Sequence, residues 1–123
     1  MNARQFQANA HSFSTYGQNE MYPFLGLTEE AGEVNGKLAK FIRKHGGTDP
    51  KDFRRKIELR GGDMTDYAKF IEDLINELGD CLWMIAEIAT LYRLDLEDIM
   101  EANIEKLAER KMRGVIVGEV DNR

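Results

Sequence analysis

Apolar residues recur at helical spacing in four segments of the chain and predict four helices. A short first helix runs from about Ala3 to Phe13. The second opens near Pro23, whose fixed φ suits a first turn, and ends at His45 before two glycines. The third is the longest, from about Thr65 to Arg93, and is expected to form the centre of the core.

The fourth predicted helix begins after Asp95, which is placed to cap it with Asp98 at the capping-box position. The basic connection 46–63 is long for a helical bundle; it is interpreted as a solvated loop, with room for a short helix, or as an interface or substrate lid. Residues 114–123 are expected to form a loop-like tail that holds the one β-branched cluster. The pattern therefore predicts an all-α, four-helix-bundle-like fold.

Length and composition, with 42% hydrophobic and 32% charged residues, predict a single domain over 1–123. Glu87 interrupts the longest apolar run, so no membrane helix is expected. The start of the chain lacks a secretory h-region and the single cysteine cannot form an internal disulfide, which favours a cytoplasmic location. A net charge of −5 disfavours nucleic acid as a partner.

Acidic pairs occupy the same phase on the second and third predicted helices. Glu30 and Glu77 lie about 60° from the centres of their apolar stripes, and Glu33 and Asp80 lie about 120° away on the same side. Packing along the stripes would bring four carboxylates together, where a divalent cation relieves their repulsion. Oxygen ligands favour Mg²⁺ or Mn²⁺, and the motifs lack the His and Cys residues of zinc and di-iron sites.

A simpler interpretation of these acids remains open. According to this interpretation, the acids are solvated helix residues that pair with lysines at nearby spacings, namely Lys37, Lys40 and Lys69.

Gly32 and Gly36 each cost a helix about 1 kcal/mol relative to alanine, so they predict close approach of another helix or chain opposite the apolar stripe. Trp83 has that opposite phase in the third helix, which makes it part of a buried or multimer face or a base-stacking residue.

The fourth predicted helix carries a row of polar side chains beside its apolar stripe: Asn103, Lys106, Arg110 and Arg113. One amide and three cations in a row suit a polyphosphate. Asn103 falls within the apolar stripe, so its amide is expected to need a partner. The alternative is a solvated basic last turn that complements the helix dipole.

Three stretches of the sequence together resemble the MazG-like branch of the all-α nucleoside triphosphate pyrophosphohydrolases. They are Gly26-Leu27-Thr28-Glu29-Glu30-Ala31-Gly32-Glu33-Val34, Glu77-Leu78-Gly79-Asp80-Cys81-Leu82-Trp83 and Asn103-x-x-Lys106-Leu107-x-x-Arg110. The resemblance covers about residues 20–113. It implies a MazG-type fold that is completed by assembly into a dimer or tetramer.

The resemblance also implies an activity, which is Mg²⁺-dependent hydrolysis of nucleoside triphosphates, deoxynucleotides included, to monophosphate and pyrophosphate. A metal-activated water would attack a metal-bridged phosphate. The resemblance implies that the metal ligands are Glu30, Glu33, Glu77 and Asp80 and that Glu29 has a supporting catalytic role. It places Asn103, Lys106 and Arg110 at the phosphates, and Trp83 is a candidate base contact.

Two other functions remain open at this stage. One is a non-catalytic helical adaptor that oligomerises through the faces that carry the glycines and Trp83. The other is a narrow enzyme that resembles dUTPases or dCTPases. The sequence leaves open the base and sugar preference, dimer versus tetramer, the number of metal ions and the physiological role.

Overall fold

The computed structural model describes residues 1–16 and 19–114, and within those ranges it contains five α-helices. They are α1 (Ala3–His11), α2 (Met21–Lys44), α3 (Pro50–Arg60), α4 (Thr65–Leu91) and α5 (Leu96–Met112). All regular secondary structure in the described ranges is helical, which confirms the all-α prediction. None of the described helices is both long and apolar enough to cross a bilayer.

Four of these helices match the predicted segments to within two residues at most ends, and α3 lies inside the connection 46–63. Local signals explain α3: Asp49 caps it by accepting a hydrogen bond from the Asp52 amide, and Pro50 occupies its first turn. It stops at Gly61, which has a positive φ of 81°. The predicted tail falls outside the described residues beyond Gly114.

The described residues group into two compact units, and the boundary between them falls within α4. The first unit comprises residues 1–16 and 86–114, with α1, the end of α4 and α5. The second comprises residues 19–85, with α2, α3 and most of α4.

In the first unit, the Gln7 side chain of α1 joins the end of α4 to the start of α5. Its amide nitrogen donates to the Leu94 carbonyl at 2.8 Å and to Thr90 Oγ1 at 3.2 Å, and its oxygen accepts from the Leu96 amide at 2.8 Å. Asp95 is the N-cap residue of α5 but makes no side-chain capping hydrogen bond. The predicted capping box is therefore wrong, because Gln7 satisfies the first amide of α5 instead.

A buried carboxylate also links α1 to α4 in the first unit. Glu87 is only 1% exposed, and His11 Nδ1 lies 2.9 Å from its Oε2, in position to donate a hydrogen bond to it. Its neighbours Ala86 and Ala89 are the most deeply buried apolar residues of this unit. A charged group at such a position depends on hydrogen-bond partners, since isolated burial is costly.

In the second unit, α2 and α4 run antiparallel and contact each other at both ends. Near the start of α2, a Cβ on Gly26 would lie 2.5 Å from Met84 Sδ, so the glycine permits the close approach of the two helices. Near its end, the rings of Phe41 and Phe70 lie 5.4 Å apart, and Phe53 of α3 meets Phe41 edge-to-face at 5.3 Å. These contacts fix the alignment of α2 with α4.

The close approach predicted at Gly32 and Gly36 is not made within the chain. Among the described residues, nothing lies within 4 Å of a Cβ built at either position, whereas Gly26 provides the close contact. The approach of another chain at these two glycines stays a prediction, because helical phase alone does not identify which neighbour a glycine faces.

Two apolar faces are left uncovered by the described residues, one in each unit. On α4, the exposed residues are Ile75, Leu78 and Leu82, which recur at helical spacing. On α5, Leu96 is buried, but Ile99, Met100 and Ile104 are exposed. Within the described residues, α4 is therefore buried on only part of its circumference, and Asn103 of α5 is exposed.

Candidate metal centre

Three carboxylates of the second unit converge between α2 and α4. Glu30, Glu77 and Asp80 each place a carboxylate oxygen within 4.8 Å of the others. Glu30 and Glu77 are half-buried, and Asp80 is exposed. This carboxylate triad is accessible from solvent and is sheltered on one side by the helices.

Helix geometry explains the convergence. Glu77 and Asp80 are three residues apart on α4 and therefore share one face of that helix. Glu30 follows Gly26 by one turn on α2, so the Gly26–Met84 contact lies next to the triad. The two acidic motifs, which share a helical phase in the sequence, thus bring three of their acids together in the structure.

The negative charge of the triad is only partly compensated by a nearby cation. Burial, followed by the charges of Asp80 and Glu77 and then of Glu29 and Glu33, raises the pKa of Glu30 above its usual range. One cation lies nearby, since Lys37 Nζ is 3.7 Å from Oε1 of Glu77. The interpretation in which the acids pair with nearby lysines therefore holds for Glu77 and Lys37. Lys69, another lysine of that interpretation, pairs with Asp73, which is not part of the triad.

The donor set fits a hard divalent cation. The triad offers only oxygen atoms, which Mg²⁺ and Mn²⁺ prefer. Cys81 lies beside it, but burial and then the charges of Glu30, Asp80 and Glu77 raise the pKa of its thiol. Cys81 is not among the grouped ligands, and the all-oxygen donor set differs from the Cys and His ligands typical of zinc sites.

The other acids of the predicted site lie near the triad without joining it. Glu29 and Glu33 are exposed on α2, and both contribute to the raised pKa of Glu30. Their charges therefore reach the triad even though their oxygens are not part of it.

The remaining predicted site residues fall in both units. Trp83 is half-buried on α4, in the same unit as the triad. Asn103, Lys106 and Arg110 lie on α5 in the other unit, where Asn103 and Lys106 are exposed and Arg110 is half-buried. Their predicted approach to the phosphates stays a prediction.

Replacing Glu30 with glutamine is expected to raise the melting temperature of the metal-free protein at neutral pH. The raised pKa of Glu30 means that its ionised form destabilises the fold. Below the ordinary carboxyl pKa of about 4.3, Glu30 is protonated whether the chain is folded or unfolded, so the advantage of the variant should disappear. Wild-type stability should then fall relative to the variant as the pH rises through the raised pKa.

Thermal melts in chelator, from about pH 4 to about pH 8, test this prediction. Adding Mg²⁺ at neutral pH should reverse the order, because only the wild type keeps all three carboxylates. A Glu30→Gln variant that melts below the wild type in chelator at neutral pH would contradict it.

Comparison with known proteins identifies the class to which this helical domain belongs. Residues 18–115 match the family model of the MazG nucleotide pyrophosphohydrolase domain. The chain therefore belongs to the MazG nucleotide pyrophosphohydrolase family, which confirms the resemblance seen in its motifs. Its helical architecture is the MazG-type all-α fold.

Two relatives share most of their length with this chain. Gene 37 protein of Mycobacterium phage L5 is 34% identical over 102 residues, which cover 83% of this chain and 75% of the relative. The uncharacterized protein YvdC of Bacillus subtilis strain 168 is 36% identical over 98 residues, which cover 76% of this chain and 80% of the relative. No solved structure matches the chain significantly.

Proposed function

We propose that this protein hydrolyses nucleoside triphosphates, deoxynucleotides included, to monophosphate and pyrophosphate in the presence of Mg²⁺. The observation that carries the proposal is the triad of Glu30, Glu77 and Asp80 within a domain of the MazG family. Three carboxylates within 4.8 Å of one another, with the pKa of Glu30 raised, form a site that gains from a bound cation.

Glu30, Glu33, Glu77 and Asp80 would hold the cation, and Glu29 would support the site and add negative charge around it. When bound, Mg²⁺ supplies charge neutralisation for the phosphates and increases the acidity of water. In the reaction, a water oxygen forms a bond to the α-phosphorus, and the bond from that phosphorus to the oxygen bridging to the β-phosphorus breaks. Pyrophosphate leaves with the electron pair, and the water proton passes to solvent or to a carboxylate such as Glu29.

The proposal also includes the row on α5. Asn103, Lys106 and Arg110 provide hydrogen-bond donors of the type that recognise phosphate oxygens, and all three have exposed or partly exposed side chains. Trp83 is the candidate contact for the base, because an indole offers a flat stacking surface.

Self-association into a dimer or tetramer is a second part of the proposal. It is supported by the uncovered apolar residues of α4 (Ile75, Leu78 and Leu82) and of α5 (Ile99, Met100 and Ile104). Open space over Gly32 and Gly36 on α2, and over Gly79 on α4, would let a helix of another chain approach these two helices closely. Sedimentation equilibrium should give a mass of two or four chains, and a monomer at high micromolar concentration would contradict this part.

Product analysis tests the activity directly. The protein is incubated with ribo- and deoxyribonucleoside triphosphates and Mg²⁺, and the products are separated by anion exchange. Monophosphate plus pyrophosphate is expected, and both should disappear in chelator and in the Glu77→Gln variant. Diphosphate plus phosphate would contradict the proposed cleavage position, and no turnover by a folded oligomer would favour the adaptor interpretation.

A further inference from the structure

A second polar feature of the α2/α4 pair is an open cavity that the acidic motifs do not explain. Its volume is about 140 Å³, enough for four or five water molecules, and it is open to solvent, so phosphate groups can enter it. It lies at the end of the pair near Phe41 and Phe70, whose rings form part of its wall. Four lysines also line it, namely Lys37, Lys40, Lys44 and Lys69.

The charges of the cavity leave it net positive. Lys44 lies 3.2 Å from Asp66, and Lys69 lies 2.8 Å from Asp73, so two lysines are paired with aspartates on the cavity wall. Lys40 forms no ion pair with any described residue, and Lys37 pairs only with Glu77 of the triad, which lies outside the cavity. In a protein with a net charge of −5, four ammonium groups around one cavity are a local reversal of sign.

Lys37 connects the cavity to the triad. It lines the cavity, and its Nζ lies 3.7 Å from Oε1 of Glu77. On α4, Asp73 of the cavity wall is separated from Glu77 by about one helical turn, or about 5.4 Å. An anion that extends from the triad along the α2/α4 groove would therefore meet the lysines within the length of a triphosphate chain.

We propose that this lysine cavity binds the β- and γ-phosphates of the substrate and holds them as the leaving pyrophosphate. The inference rests on the proposed function for the identity of its ligand, since the α-phosphate would lie at the triad. The ammonium groups of the cavity would stabilise the negative charge that builds up on the leaving pyrophosphate as its bond to the α-phosphorus breaks. Lys40 is expected to contribute most, because its charge is not already neutralised by an ion pair.

Direct binding of inorganic pyrophosphate in chelator, measured by calorimetry at low ionic strength, tests the cavity independently of hydrolysis. Lys40→Met should weaken binding by about tenfold, and Lys69→Met by about threefold, because the charge of Lys69 is already paired with Asp73. Lys56→Met is the matched control: Lys56 lies on α3, is paired with Asp52 at 3.3 Å and does not line the cavity. Added salt should weaken binding to the wild type.

The Glu77→Gln variant provides a result of opposite sign. It is expected to abolish hydrolysis, yet to tighten pyrophosphate binding in chelator, since it removes a nearby negative charge and releases Lys37. Undiminished binding in both cavity variants, or no binding to either wild type or Glu77→Gln, would overturn the cavity proposal.

Inhibition kinetics then distinguish the leaving group from an unrelated anion. Pyrophosphate should compete with the nucleotide if both occupy the cavity, and non-competitive inhibition would overturn the assignment to the substrate phosphates. If no nucleotide is hydrolysed, the proposed function fails, while the measurements in chelator still decide whether the cavity binds pyrophosphate.

Discussion

Asparagine in place of Asp80 should lower kcat/KM for nucleoside triphosphate hydrolysis by about 10²- to 10⁴-fold, the range expected when a site loses several kcal/mol of charge stabilisation. The substitution keeps the size of the side chain and removes one of the three negative charges that face one another across α2 and α4. The remaining two carboxylates would hold a divalent cation more weakly. The loss should therefore be partly offset at high Mg²⁺ concentration.

Steady-state kinetics over a range of Mg²⁺ concentrations measures this effect, and thermal melts give a second signal. The wild type should gain melting temperature with Mg²⁺, because ligand binding to the folded state stabilises it, and Asp80→Asn should gain much less. Glu72→Gln is a matched control, since Glu72 is an exposed acid on the same helix and is not part of the triad. Activity of Asp80→Asn within twofold of that control would contradict the role given to Asp80.

The second large effect concerns stability. Replacing His11 with leucine is expected to lower the free energy of unfolding by about 1.5 to 3 kcal/mol, the contribution of a hydrogen bond to a charged group. The variant removes the imidazole that lies 2.9 Å from the buried carboxylate of Glu87. Because the His11 side chain is itself 48% exposed, the value should fall toward the lower end of the range.

Urea denaturation followed by circular dichroism measures the change, with Glu87→Gln as the matched variant. Glutamine keeps the size and can still accept a hydrogen bond from the imidazole, so it should cost less than the loss of His11. A double-mutant cycle with His11→Leu and Glu87→Gln isolates the energy of the pair. Equal stability of His11→Leu and wild type would show that the contact does not hold α1 to α4.

Much of the fold was predictable because it follows from local signals. The apolar periodicity identified α2 and α4, and Gly46 and Asp95 mark helix boundaries in the sequence as they do in the structure. The sequence predicted which faces of α2 and α4 meet, but not how the two helices are aligned along their length. The contact that fixes this alignment involves Gly26 rather than the glycines at the centre of α2. Tertiary contacts, not propensity, decide which helical glycine meets a neighbour.

The side-chain contacts of the first unit were harder to predict from the sequence. Glu87 stands out in the sequence as an acid within an otherwise apolar run, and this is the signal that a buried, paired carboxylate leaves. Its partner His11 lies 76 residues away, and no local pattern connects the two. Gln7 illustrates the same limit, because it satisfies the start of α5 from 89 residues away.

At the candidate metal centre, helical spacing and phase indicated which acids face each other across α2 and α4. Glu77 and Asp80 share one face of α4, and Glu30 meets them from α2. Glu33 follows Glu30 by three residues, yet it lies on the exposed side of α2. A difference of about 60° in helical phase between Glu30 and Glu33 is enough to turn one toward the neighbouring helix and the other toward solvent.

The contact between Gly26 and Met84 also constrains the length of the chain between that contact and the triad. One residue inserted after Gly26 would rotate Glu30 by about 100° and shift it by about 1.5 Å along α2, away from Glu77 and Asp80. An insertion of seven residues would nearly restore the rotation but displace Glu30 by about two turns. Natural variation in this segment should therefore take the form of substitutions, and insertions should collect in the connections on either side of α3.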